Sequence, residues 1–308
     1  MRTEVIAPNV AAAGGTITWF RQAVLPVATV LGAILVIWYI GVVALNAPFQ
    51  RQLFANAGNV AYTTSDLIAA TMRQDRPVLP SPQQVAEEIW KTTFQTSITS
   101  KRSLVYHGWI TLSSTLLGFA MGTVLGIGLA VLVVHSRTLN KSLMPWIISS
   151  QTIPILAIAP MIIVVLNAIG ITGILPKAFI STYLSFFPVT VGVVKGLRSP
   201  EIIHLDLMRT YSASASQVFW KLRMPASLPF LFTSMKVAIA ASLVGAIVGE
   251  LPTGAVAGLG ARLLAGSYYG QTVQIWSALF AAALMAAVLV VLVGMVDTAV
   301  RRRMGVRA

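Results

Sequence analysis

Six long stretches of this 308-residue chain contain no Asp, Glu, Lys or Arg: Gln22–Gln50, Ser103–Ser136, Ser142–Pro176, Ala178–Val194, Val237–Gly249 and Leu263–Val296. A helix needs roughly 20 mainly apolar residues to cross the hydrocarbon core of a bilayer. In lipid only helices and closed barrels satisfy their own backbone, and the alternating pattern of barrel strands is missing from these runs. Only 10% of the residues are charged, against about a quarter in a soluble domain. The chain therefore reads as all-α, a polytopic membrane protein with about six transmembrane helices.

The spans expected from the apolar runs are Val24–Leu45, Val105–Val133, Leu143–Ala168, Ala178–Val194, Leu231–Gly249 and Ile275–Val296. The first is too long for the core of a signal peptide and is expected to be retained. Six spans put both termini on one side. The net charge of +13 fits orientation better than nucleic-acid binding, because short cytoplasmic loops are enriched in Lys and Arg. With the N-terminus inside, the cytoplasmic segments carry Arg2 and Arg21, then Arg137 and Lys141, then Lys195, Arg198, Arg209, Lys221 and Arg223. The last of them carries Arg301, Arg302, Arg303 and Arg307. The opposite side keeps Lys177 and Arg262 in short loops and a long loop of mixed charge, Asn46–Arg102. Long loops weigh little in this rule, so both termini are expected in the cytoplasm.

Within the long loop, Pro77, Pro80 and Pro82 predict a stiff, extended connector. From Ser81 the pattern turns into a helix start, with Pro in the first turn and acids close behind, expected to lie along the external surface. Gly118, Gly122 and Gly126 make one smooth stripe on the second span. Such stripes let helices approach closely, within one bundle, at a subunit interface or along a moving surface. Pro154 and Pro160 in the third span and Pro188 in the fourth predict kinks. A gate and a static bundle are both open readings.

Enzyme chemistry finds no footing. Cysteine is absent, and His107, His135 and His204 lack metal-ligand spacing. No phosphate-cradling glycine loop ending in Lys-Ser or Lys-Thr and no nucleophile elbow is present. Polar groups inside a membrane are costly and so become functional candidates. Gln151, Thr152 and Asn167 in the third span and Glu250 at the end of the fifth are the pathway or gate candidates. For the first three, helix-to-helix hydrogen bonding is the competing role. For Glu250, lining a pathway, pairing with Arg262 and resting at the water interface are all open.

One polar, cation-bearing segment interrupts the apolar runs: Asp206–Pro225, DLMRTYSASASQVFWKLRMP. Leu207, Tyr211, Ser214, Val218 and Leu222 follow roughly helical spacing, so a short amphipathic helix and a second, Pro-ended piece are expected. It suits either a membrane surface or a groove on a partner. The segment resembles the cytoplasmic loop of permease subunits of bacterial ABC importers. That loop reads Glu-Ala-Ala, three residues, Gly, nine residues, Ile-x-Leu-Pro. Here the places hold Asp206-Leu207-Met208, Ser212 and Leu222-x-Met224-Pro225. Ser212 in the glycine place is the departure. The likeness extends over roughly Leu79–Arg303 and is greatest to the nitrate/sulfonate/taurine-type branch. It includes Leu79-Pro-Ser-Pro82, His107, Pro154 and Pro160, Phe187-Pro188, Gly196-Leu197-Arg198, and Glu250 followed by Gly258-Leu259-Gly260.

The resemblance implies a type I importer permease. Its expected parts are a cytoplasmic segment 1–22, a first transmembrane helix 23–46, and an external, periplasmic loop 47–103 with a surface helix. A five-helix core 104–298 follows, containing the coupling loop 196–228, and then a basic cytoplasmic tail 299–308. The 206–225 loop is expected to dock on a separate cytoplasmic ABC ATPase, in two copies, through Asp206, Arg209, Tyr211, Ser212, Ala213, Ser214, Phe219 and Pro225. No cofactor is expected on this chain, with ATP and Mg carried by the ATPase. A periplasmic or extracellular binding protein would deliver a small solute, and a second permease would complete the pair in the bacterial inner membrane, as a homodimer or, in the alternative, with a paralogous permease. An ATP-independent carrier or channel is the alternative; it would call for ion-coupling residues near mid-membrane, and the runs offer few.

Overall fold

The computed structural model describes residues 24–58, 61–252 and 257–304. The N-terminal segment 1–22 with Arg2 and Arg21, and Arg307 of the basic tail, lie outside them. Among the described residues every regular element is helical. Two compact units divide the chain, residues 1–86 and 87–308.

In the first unit, α1 (Leu25–Asn56) extends well past the expected end at Leu45. The extension is polar on one side, and the stiff proline segment completes it. Fully buried Asn46 accepts from Val78 N–H at 2.8 Å and donates to Leu79 O at 2.9 Å. Trp38 Nε1 donates to Pro80 O at 3.0 Å. A buried amide with its hydrogen bonds met is tolerated; an unpaired one is not. α2 (Thr64–Met72) starts on a reciprocal cap between Thr63 and Asp66. α3 (Pro82–Trp90) starts the same way, with Ser81 Oγ accepting from Gln84 N–H and Gln84 Oε1 from Ser81 N–H.

The second unit is built on α4 (Leu104–His135), α7 (Ile174–Leu197) and α10 (Met224–Glu250). Gly118, Gly122 and Gly126 of α4 face Ser181, Ser185, Phe186 and Val189 of α7 so closely that a Cβ on any of them would overlap. The glycine stripe therefore lies inside one bundle. Ser181 also meets Gly245 of α10, where an added Cβ would stand 2.7 Å from its Cα. Hydroxyls stitch the same contact, with Thr182 Oγ1 donating to Gly118 O at 3.2 Å and Ser242 Oγ to Thr115 O at 2.8 Å. Apolar lipid gives helices no hydrophobic reason to associate, so close packing and such bonds must do it.

Among the described residues five helices are long and apolar enough to cross a membrane, and a sixth span exists if one bent pair is counted as one. That pair corrects the expected third span. α5 (Arg137–Ser149) and α6 (Ile155–Ala168) meet at a bend of 102° across a single 3₁₀ turn, Ser150–Thr152. Pro154 is the cause. It has no N–H for the carbonyl of Ser150, and it forces Ile153 into extended backbone (ψ 121°). The stranded Ser150 carbonyl accepts from the Tyr183 hydroxyl on α7 instead. Pro188, by contrast, sits within a continuous α7. The last long helix, α12 (Thr272–Arg303), is joined to α10 by an ion pair of 2.9 Å between Lys236 and Asp297, whose carboxylate also takes Arg301.

Candidate functional site

The polar segment folds as a helix, a sharp corner and a second helix that runs on into α10. α8 (Ile202–Thr210) ends in a paired closure: Ser212 N–H donates to Arg209 O at 2.8 Å and Ala213 N–H to Met208 O at 2.9 Å. This closure needs a left-handed residue, and Ser212 supplies it with φ 49°, positive although it is not glycine. Ser212 thus keeps the turn geometry that glycine would give, at some backbone strain. The next helix, α9 (Ala215–Val218), is capped at once by Ser214 and Gln217, each accepting from the other's backbone N–H. A π-helical turn, Phe219–Arg223, then leads into α10. Pro225 has no N–H for the carbonyl of Lys221, and Met224 N–H reaches back five residues to Phe219 O.

The side chains sort into two sets. Ile203, Leu207 and Tyr211 fall at i, i+4 and i+8, one face of α8, and are 70%, 52% and 76% exposed. Ser212, Ser214 and Trp220 are exposed too, Ala213 partly. Phe219 is turned inward. Its ring is buried, edge-on to His135 at 5.0 Å at the end of α4, and holds the segment from beneath. Asp206 and Arg209 pair with each other at 2.9 Å, both well exposed, so Arg209 already has an acid within the chain. Leu207 and Tyr211 were legible as one helical face, but Ile203 was not included with them, although it lies four residues before Leu207.

The pathway candidates do not converge. Gln151 and Thr152 are exposed neighbours at the α5–α6 break, and Asn167 is exposed near the far end of α6, roughly 20 Å along the helix. Glu250 is fully buried and reaches neither Arg262 nor the surface. Its carboxylate accepts from Thr111 Oγ1 at 3.0 Å and Gly260 N–H at 2.8 Å, and Lys177 Nζ lies 3.8 Å away. The same corner is clamped by Thr111 Oγ1, which accepts from Leu259 N–H at 2.8 Å, and His107 Nδ1, which accepts from Gly258 N–H at 3.0 Å. A Cβ at Gly258 would run into the Glu250 carboxylate, and the residue has φ 131°, so only glycine fits. Gly258-Leu259-Gly260 thus lets two backbone N–H groups and a carboxylate share one buried site at the start of α11 (Leu259–Tyr268). Arg262 pairs with Glu88 instead, at 2.9 Å.

Comparison with known proteins bears on all of this. Residues 122–306 match the family described as binding-protein-dependent transport system inner membrane component. The chain is 32% identical over 193 residues to the formylaminopyrimidine transport permease protein ThiX of Halalkalibacterium halodurans, covering 63% of this chain and 72% of that one. It is 31% identical over 220 residues to the riboflavin transport system permease protein RibX of Chloroflexus aurantiacus, covering 71% and 78%. The nitrate import permease protein NrtB of Synechocystis is 27% identical over 182 residues, covering 58% and 64%. The multi-helix apolar core, the importer-type loop and these matches agree: the chain belongs to the binding-protein-dependent inner membrane components, the permease subunits of ABC importers.

Proposed function

We propose that Ile202–Arg223 is where this permease is driven, by docking into a cleft of a separate ATPase that carries the ATP and Mg. The observation that supports it most is the exposed apolar face of Ile203, Leu207 and Tyr211 on a short helix fixed at its end by the Ser212 closure and anchored through Phe219. Exposed apolar anchors at helical spacing suit a helix-in-groove contact. A rigid corner passes on a push that a flexible loop would absorb. Ala213 and Ser214 sit at that corner and belong to the contact.

In this reading the docking segment faces the cytoplasm with both termini. Two permease copies and two ATPases form the unit in the bacterial inner membrane, and a binding protein delivers a small solute to the opposite face. The relatives' names, for formylaminopyrimidine, riboflavin and nitrate transport, span several solute classes, and selection is assigned to the binding protein. The test is Ala213→Glu in the reconstituted complex. Membrane insertion is expected to be unchanged, and stimulation of ATP hydrolysis by loaded binding protein to fall at least about tenfold, as burying an unpaired charge at an interface demands. Undiminished stimulation would remove the corner from the contact.

A further inference from the structure

At the opposite end of α4 from the docking segment lies a cavity of about 580 Å³. α4 starts there at Leu104 and ends at His135 against Phe219, roughly 48 Å apart for 32 residues. Three elements supply cations to the cavity wall: Lys91 from the turn after α3, Lys101 and Arg102 from the loop before α4, and Arg262 from α11. Among the described residues Glu88 is the only acid on the wall, and Arg262 takes it at 2.9 Å. Among the described residues the side chains of Lys91, Lys101 and Arg102 make no ion pair within the chain. Arg262 is nearly buried, gives one more bond to Arg102 O at 2.7 Å, and keeps an Nε–H with no partner.

Like charges gathered round one concave, partly shielded space raise its potential and favour an anion there. The volume lies within the range of roughly 300–1,000 Å³ that holds organic ligands, larger than a bare ion needs. Gln271 and Gln274 add neutral donors to the wall. On the turn and helix that form one side, Trp90 and Phe94 are exposed, their rings tilted against each other at 4.5 Å, as aromatic residues are where a protein meets the headgroup layer.

We infer that this cavity is an oxyanion-binding site for a phosphate-bearing organic group, either the headgroup of an anionic phospholipid or a soluble phosphate ester. Its three unpaired cations hold the oxygens, and Arg262, fixed by Glu88, forms the floor. The site is remote from the docking segment and independent of it.

The test uses the full chain in two arms. In a zwitterionic detergent, calorimetric titration with glycerol 3-phosphate reads soluble binding. In nanodiscs holding phosphatidylglycerol in phosphatidylcholine, native mass spectrometry after extraction reads lipid retention. The triple variant Lys91→Gln, Lys101→Gln, Arg102→Gln removes three exposed charges, and Arg51→Gln, Arg73→Gln, Arg76→Gln removes three exposed charges elsewhere. Binding in either arm is expected to weaken at least about tenfold in the first variant and to hold in the second. The arm that shows the effect identifies the source. No binding in both arms, or equal binding by the two variants, would overturn the site.

Discussion

At one end of the α4–α7–α10 core the polar groups are buried and close on one another, whereas at the other end they stand in water. Glu250, Thr111, His107 and the Gly258–Gly260 backbone form a sealed set in which each acceptor faces a donor. The segment proposed to dock instead holds an exposed ion pair, an exposed apolar face and a serine in a glycine conformation. A corner locked by buried hydrogen bonds cannot shift without leaving groups unpaired, at about 1–3 kcal/mol each. A surface fixed by short caps remains free to meet a partner. The contrast separates a closed corner from an open surface, the one proposed to meet the ATPase.

Three substitutions test the contrast, in falling order of effect. Glu250→Ala leaves the buried Gly260 N–H without its acceptor and takes the acid away from Thr111 Oγ1 and Lys177 Nζ, which keep only His107 O and Ala257 O. We expect a loss of about 3 kcal/mol or more, seen as a clear drop in thermal unfolding temperature in detergent; an unchanged midpoint would mean the corner is not sealed. Ser212→Gly relieves the left-handed strain. It should stabilise the end of α8 by about 1 kcal/mol and slow hydrogen exchange of the Ser212 and Ala213 amides roughly fivefold. Faster exchange would contradict the closure. Arg209→Ala breaks an exposed pair and should change stability by less than about 0.5 kcal/mol, within the scatter of the same unfolding measurement. A larger loss would show that this end, too, depends on internal contacts.

The spans were legible because membrane burial writes itself into composition over twenty residues at a time. The glycine stripe was legible because its period matches the helix. The docking segment showed itself as a polar island, and the spacing of Ser212 and Pro225 gave its likeness. What the residues did not show were contacts across long stretches of chain, such as Arg262 with Glu88 or Thr111 with Glu250, separated by 174 and 139 positions. Periodicity carries no record of such pairs. Phe219 is buried and Trp220 exposed because neighbours on a helix face about 100° apart, and packing against His135 and the end of α4 decides which of the two turns in. The bend at Pro154 was legible as a kink but not at its size, since that depends on Tyr183 being there to receive the freed carbonyl.

From Ala215 to Glu250 the backbone is one unbroken rod of 36 residues, the π-helical turn included. One tip carries the docking corner; the other is pinned in the Glu250 clamp. Over its length of roughly 54 Å, a turn of about 5° at the clamp corresponds to some 5 Å of sideways displacement at the Ala215 end, on the order of one helical turn's pitch. Small rotations at the clamp and large strokes at the corner are thereby geared to each other.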